Sequence, residues 1–294
     1  MTRYNAPMTS PPALFRLALS RPAIFRGAVS ALALATLVAA LPASAAERKP
    51  APHAAPDREA VERARQAASC LQMAEKTPKA AFESALTWQD RGGGDMARLC
   101  QAMALFHQGQ FQASATRLED LVPTLGKDTP EGASSLLARA GWAWLRAGDS
   151  DKAEKAYTAA IDRSPRDPEL LVDRAFARAE SERYWDAIED LNRAIGMAPK
   201  RAEPYLYRAG AFRALGNDSK ALEDVGVALA LEPGNPEALL LRGNLRAVTG
   251  NPDGAKSDWR SVMRIDPDTT SAKAASDNLA RLQGAEAEGK PPAK

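Results

Sequence analysis

The residues able to do chemistry in this chain are few, and they do not gather. Its only histidines are His53 and His107, and its only cysteines are Cys70 and Cys100. His53 lies in a Pro- and Ala-rich stretch. His107 lies in LFHQGQF, with no cysteine or carboxylate cluster at ligand spacing, so no His/Cys metal site is expected. Gly92-Gly93-Gly94 lacks the following Lys-Ser/Thr of a phosphate loop and reads as a turn between structural units. No serine elbow motif occurs. Carboxylates are plentiful, but Glu169, Glu203 and Glu237 recur at one fixed interval, each just after an expected helix start, where negative charge suits the helix dipole. No constellation meets the demands of an active site, so the chain reads as a non-enzyme with no catalytic residue, metal or cofactor.

What remains is the chemistry of charge pairing and of binding. The same spacing, sixteen positions, separates Arg174 from Asp190, Arg208 from Asp224, and Arg242 from Asp258. In an antiparallel helix hairpin that turns near the middle of that interval, the two side chains lie opposite each other. The equivalent places one period earlier hold Ala140 and Ala156, so both partners are missing together. Joint absence is what a pair predicts. A partly exposed ion pair of modest worth is the structural reading. Arginines that bind an anionic ligand are the functional one.

These pairs require elements that repeat. Pro165, Pro199, Pro233 and Pro267 fall at every thirty-fourth position without slippage. That period is too long for a heptad and too short for a domain, and it points to stacked helix pairs. Aligned on the prolines, four units run 134–167, 168–201, 202–235 and 236–269. Three sets of small residues keep the spacing: Gly141, Ala175, Ala209 and Gly243; Ala153, Ala187, Ala221 and Ala255; and Ala160, Ala194 and Ala228, with Val262 as the exception. Small side chains belong where helix axes approach closely. Gly148, Gly216 and Gly250 mark the turn between the first two sets, and Glu182 stands in that place in the second unit, where the turn must close without glycine.

Small residue, Gly-bearing turn, Ala, Ala, then Pro, all within one period, resembles the tetratricopeptide repeat, most plainly in AFRALGNDSKALEDVGVALALEPGNPEA. The resemblance covers 134–269 and implies an all-α fold, a right-handed superhelix (α-solenoid) of stacked antiparallel helix pairs. Upstream, 95–128 keeps phase through Ala102, Gly109 and Ser114, and 61–94 through Ala68 and Ala80, so residues 61–128 read as two degenerate units. Residues 129–133 (TPEGA) read as an insertion. Residues 270–283 read as a capping helix, which a repeat array needs to cover its last apolar face. Residues 46–60 read as a flexible linker and 284–294 as a disordered tail.

In such a superhelix the first helix of each unit lines the concave side. A 3.6-residue period places Ala138, Trp142 and Leu145 there in one unit; Glu169, Val172, Phe176 and Glu180 in the next; then Glu203, Leu206 and Arg213; then Glu237, Leu240 and Asn244. This gives a groove with an apolar centre and acids at one rim. Trp142 and Phe176 are either anchors for a peptide or an amphipathic helix, or packing residues between repeats. Trp144, Trp185 and Trp259 read as interior or inter-repeat residues. The family's best-known peptide site resembles a ring of Lys, Arg and Asn that clamps a terminal carboxylate. This chain departs from it, with Val172, Leu206 and Leu240 at the basic places and Phe176 and Gly210 where Asn would stand.

Composition narrows the partner. Residues 1–45 carry four of the 39 basic residues and no acid, which leaves 35 bases against 37 acids, a net of −2, in the rest. A near-neutral body gives no reason to expect nucleic acid. Arg16, Arg21 and Arg26 precede an uncharged run from Gly27 to Ala46, and Pro42 and Ala43-Ser44-Ala45 close it as an export signal with cleavage after Ala45. Translation starting at Met8 would shorten the leader. The competing reading is an uncleaved inner-membrane anchor with periplasmic repeats, since the run is just long enough to span. Cys70 and Cys100 are candidates for a disulfide in an oxidising compartment, or two buried thiols. The expected function is a periplasmic or secreted scaffold that binds a protein or peptide partner in its groove. A self-associating component (a homo-oligomer) and an envelope-assembly factor that binds a glycan or lipid are the alternatives.

Overall fold

The structure is a computed structural model, and it describes residues 58–127 and 129–287. The leader, all but the last residues of the linker, and residues 288–294 lie outside the described residues. Among the described residues there is no strand. The helices are α1 (Arg58–Lys76), α2 (Pro78–Trp88), α3 (Gly94–His107), α4 (Phe111–Glu119), the short α5 (Val122–Leu125), α6 (Pro130–Arg146), α7 (Ser150–Arg163), α8 (Pro168–Glu180), α9 (Tyr184–Met197), α10 (Ala202–Ala214), α11 (Asp218–Leu231), α12 (Pro236–Val248), α13 (Pro252–Ile265) and α14 (Thr270–Ala287). Consecutive helices pair into hairpins: α6 with α7, α8 with α9, α10 with α11, and α12 with α13. Each second helix then packs on the first helix of the next hairpin, and α14 lies on α13 and α12. The result is an all-α superhelical stack.

Local chemistry explains the breaks. Gly109, Gly148, Gly216 and Gly250 all take positive φ, between 74° and 86°, at the hairpin turns. After three of them Asp149, Asn217 and Asn251 cap the next helix by accepting from the backbone N–H of Lys152, Lys220 and Gly254. The second hairpin lacks both devices. Glu182 itself takes φ 59°, and Arg183 provides no side-chain cap for α9. Each period-marking proline falls two residues past the end of a second helix, where it cannot continue the helix.

Three boundaries differ from the sequence reading. Residues 130–133 are the first turn of α6 rather than an insertion, because Thr129 caps the helix by accepting from Gly132 N–H and Pro130 fits the first helical position. The last three linker residues, 58–60, already belong to α1. Residues 284–287 extend α14, tied back where Lys256 Nζ donates to Glu286 at 2.7 Å.

The core runs along the hairpin interfaces, and facing positions are complementary in volume. Gly141 lies against the Tyr157 ring, and Gly243 lies against the Trp259 indole. The same register sets Ala175 against Leu191 and Ala209 against Val225, all buried. Large faces smallest and medium faces Ala, so helix axes stay close and the space stays filled. All members of the second and third small-residue sets are buried as well. Trp144 and Trp259 are interior, but Trp185 is 63% exposed, which corrects the interior reading: it is the second residue of α9, on the outer face, where nothing packs over it. Cys70 of α1 and Cys100 of α3 form a disulfide between two neighbouring first helices, with their Cα atoms 6.0 Å apart.

Candidate functional site: the inner wall of the array

First helices approach each other across units, α6 against α8 and α8 against α10, more closely than second helices do. A stack whose first helices crowd and whose second helices splay curves with the first helices inside. They form the inner wall.

The repeating charge pairs fasten the hairpins behind this wall. Arg174 Nε and Nη2 donate to the two oxygens of Asp190 at 2.9 and 2.7 Å. Arg208 does the same to Asp224 at 2.7 and 2.6 Å, and Arg242 to Asp258 at 3.0 and 2.7 Å. All three aspartates are buried. Each is a bidentate clasp with its carboxylate in the core, while the arginine side chains keep 10%, 20% and 26% of their exposure. Neighbours complete them. Arg178 donates to Asp190 and Arg246 to Asp258, each at 2.8 Å, while Arg208 also donates to Asn192 at 2.6 Å. Hydrogen bonding to these aspartates pushes the Arg174 and Arg208 pKa values up. In each clasp Nε and Nη2 are committed to the carboxylate of the same hairpin. Sequence reasoning missed a fourth, neutral version upstream. Arg117 Nη1 donates to the buried Gln101 Oε1 at 3.1 Å across α3 and α4, at the same sequence separation as the clasps.

The residues assigned to the groove divide into four groups. Leu145, Val172, Phe176, Leu206 and Leu240 are buried between helices, so the apolar centre expected of the groove is taken up by packing. Ala138 and Trp142 are half-buried against the same core. Asn244 is committed to structure, its side-chain oxygen accepting from Trp259 Nε1 at 3.0 Å and from Asn278 Nδ2 at 2.7 Å. Glu169 is exposed, and Glu180, Glu203, Arg213 and Glu237 are half-buried. Glu169 and Glu203, on neighbouring first helices, are bridged by Arg201, whose Nη2 lies 2.9 and 2.8 Å from their oxygens. Burial pushes the Arg213 guanidinium pKa down, opposed by nearby Asp218.

The open centre of the wall falls one residue later than the sequence reading placed it, at Arg139, Asp173 and Tyr207, which are equivalent positions in successive repeats and all half-buried. One residue further along a helix turns the face by about 100°, enough to pass from the core to the wall. The signal was present: Asp173 is a lone acid in the apolar run LLVDRAFA, and it sits one turn after Glu169. An aromatic row accompanies it. The Trp142 and Phe176 rings are 6.4 Å apart and the Phe176 and Tyr207 rings 6.2 Å, so three successive first helices are linked by aromatic contacts.

Electrostatics single out Asp173. Its carboxyl is desolvated and lies near Glu203, Glu169 and Asp167, against the one opposing charge of Arg201, and its pKa is pushed up to about 8. Behind it stands Tyr157 of α7, fully buried, its hydroxyl without a hydrogen-bond partner among the described residues and its pKa raised by burial and by Asp173. Among the described residues no three His, Cys, Asp or Glu side chains stand together to hold a metal ion, and no helix is long and apolar enough to cross a membrane.

Stacked hairpins with a continuous inner wall define an α-solenoid, a class whose members work through their surface. A family model described as tetratricopeptide repeat matches residues 99–168 and 138–202. Residues 99–202 therefore carry tetratricopeptide repeats. It is similar to the SGT1 homolog of Oryza sativa subsp. japonica, 38% identical over 63 residues; the match spans 21% of this chain and only 17% of that relative's length. Among solved structures it resembles TTC0263, a tetratricopeptide repeat protein of Thermus thermophilus, at 20% identity and a TM-score of 0.51, covering 65% of this chain and 99% of that one. It also resembles MamA from Desulfovibrio magneticus RS-1, at 16% identity and a TM-score of 0.49, covering 57% and 93% respectively. These likenesses concern the fold.

Proposed function

We propose that the protein is a non-catalytic scaffold that is exported to the periplasm or cell envelope and there holds a protein or peptide partner on its inner wall. The observation that carries this reading is the wall itself. Across α8 and α10 it presents side chains that keep open surface, Asp173 and Tyr207 foremost, in one line along neighbouring helices. A groove of that kind suits an extended segment that lays successive side chains on successive repeats. Two features support export. The leader has the layout of a secretory signal, and a disulfide between Cys70 and Cys100 suits an oxidising compartment.

A photo-crosslinking residue at Tyr207, compared with one at Trp185 on the outer face, tests the wall. Capture of a defined partner from Tyr207 and not from Trp185 is expected; the reverse pattern removes the groove. Amino-terminal sequencing of the protein from fractionated cells tests export. A mature terminus at Ala46 in the periplasmic fraction is expected, and an intact Met1 or Met8 terminus in the cytoplasm refutes it.

A further inference from the structure

We propose that the wall between α8 and α10 is a seat for a cationic side chain, an arginine or lysine on a partner segment, held by the carboxylates of Asp173 and Glu203 beside the Tyr207 ring. This rests on reading the inner wall as the binding surface and specifies what the wall selects.

Three observations converge. The first is charge. Asp173 feels the charges of Glu203, Glu169 and Asp167 and of one cation, Arg201, which is already shared between Glu169 and Glu203. Once Asp173 ionises, the cluster holds an excess of negative charge. The second is an unsatisfied group. The far end of the Tyr157 ring lies over Gly141 of α6, where no Cβ blocks it. Its hydroxyl is fully buried, has no hydrogen-bond partner among the described residues, and feels Asp173 as its charged neighbour. A buried hydroxyl with nothing to bond is uncommon and calls for an explanation. Asp173 is the charged group whose field reaches that hydroxyl. A small shift would let that hydroxyl donate to the ionised carboxylate, which has further lone pairs for a ligand. The third is the ring row that ends at Tyr207, the equivalent of Asp173 in the next repeat. It offers an aromatic face beside the carboxylates, and aromatic faces attract cations.

A guanidinium fits this set, since it carries only donors and carboxylates only accept. An anionic segment does not fit, because it would meet the carboxylate cluster. In the empty wall Asp173 holds its proton at neutral pH, so binding displaces that proton. The groups that face Asp173 are Asp167 and Glu169 at the start of α8, Glu203 of α10, Arg201 before α10, and Tyr157 of α7. Asp173, with its pKa at about 8, titrates between pH 6.5 and 9. Tyr157 titrates well above that range. Affinity for a cation therefore rises with pH in this interval.

The test is calorimetric titration of the protein with two blocked peptides, Gly-Arg-Gly-Arg-Gly and the same peptide with citrulline for arginine. The arginine peptide should bind and the citrulline peptide should bind at least about tenfold more weakly. Raising pH from 6.5 to 9 should tighten the arginine peptide by about tenfold, with proton release that varies with buffer. Asp173→Asn should flatten that pH dependence and weaken binding at pH 9 about tenfold. Glu203→Gln should weaken it about threefold. Glu223→Gln, on the outer side of α11, should change nothing. Tyr157→Phe should move the midpoint of the pH profile upward. Equal binding of both peptides, or a pH slope that survives Asp173→Asn, overturns the proposal. If Tyr207 still captures a partner in cells after such a result, the groove reading stands and only its cationic specificity falls.

Discussion

Breaking one half of a clasp should destabilise the array strongly, and breaking the second half should then cost little more. Asp224 is buried and accepts two charge-assisted hydrogen bonds from Arg208. Asp224→Ala removes both and leaves the guanidinium with Asn192 and the face of the Tyr205 ring. Removing one partner of a buried pair costs about 3–5 kcal/mol, because the other charge stays desolvated. Arg208 retains 20% of its side-chain exposure, so water recovers part of that, and Ala gains about 0.5 kcal/mol of helix propensity. The expected loss is therefore about 2–3 kcal/mol, and Arg208→Ala should lose a similar amount by stranding the carboxylate. The double variant recreates what the α6–α7 hairpin already has at Ala140 and Ala156, so it must fold. Its total loss should be about 3 kcal/mol, well short of the sum of the two single losses. Urea and thermal unfolding, followed by far-ultraviolet circular dichroism on all four proteins, gives the coupling. A coupling energy above about 1.5 kcal/mol is expected. A value under about 0.3 kcal/mol would show that the residues act independently and refute the clasp as the fastening of the hairpin.

Glu182 takes a left-handed backbone at φ 59°, where a side chain costs about 1–2 kcal/mol, so Glu182→Gly should stabilise by about 0.5–1 kcal/mol once the greater chain entropy of glycine is subtracted, seen as a higher melting temperature. A Cβ on residue 243 would lie 2.6 Å from Trp259 Nε1, so Gly243→Ala should destabilise by about 1–3 kcal/mol despite its better helix propensity, measured by urea unfolding. Asp173, at a pKa of about 8, holds a proton that the unfolded chain loses near pH 4, so native stability should fall as pH rises from about 4 to about 8 and level off above. Asp173→Asn should remove that slope and gain about 2 kcal/mol at pH 8, allowing for solvent screening of a half-buried group, and an unchanged slope in a melting series over pH 5–9 would refute the burial of this carboxyl.

The fold was legible because packing repeats. Each small residue answers a large one at the same distance along the chain, and each turn needs a positive φ, so interface and turn both leave periodic marks. Hence Ala187, Ala221 and Ala255 are read correctly as interior from spacing alone. The wall was less legible for a geometric reason. Val172 and Asp173 are adjacent in sequence and about 100° apart around the helix, and a periodicity argument that tracks apolar residues follows Val172 into the core. The depth of the clasp was invisible for a similar reason: spacing shows that Arg208 and Asp224 face each other, but only the stacking of the next hairpin shows that Asp224 is covered. Residues 130–133 were misread because a pattern aligned on small residues takes no account of Thr129 as a helix cap.

The division of labour in each hairpin explains where this array is free to vary from repeat to repeat. Paired volumes, Gly141 with Tyr157 and Gly243 with Trp259, fix the distance between helices. The clasps fix their rotation, since a bidentate fork tolerates little turning. With distance and rotation both set from behind, the wall positions are released from that duty, and Arg139, Asp173 and Tyr207 differ completely in size and charge while the hairpins around them stay alike. Asp173 holds its carboxyl among other carboxylates at a cost in stability, a cost that the proposed cationic seat would offset. Replacing Asp173 with the Tyr of the next unit therefore sets the two roles against each other. Asp173→Tyr should leave the array folded and at least as stable, by circular dichroism and thermal melting, while removing the preference of the wall for an arginine peptide over its citrulline twin.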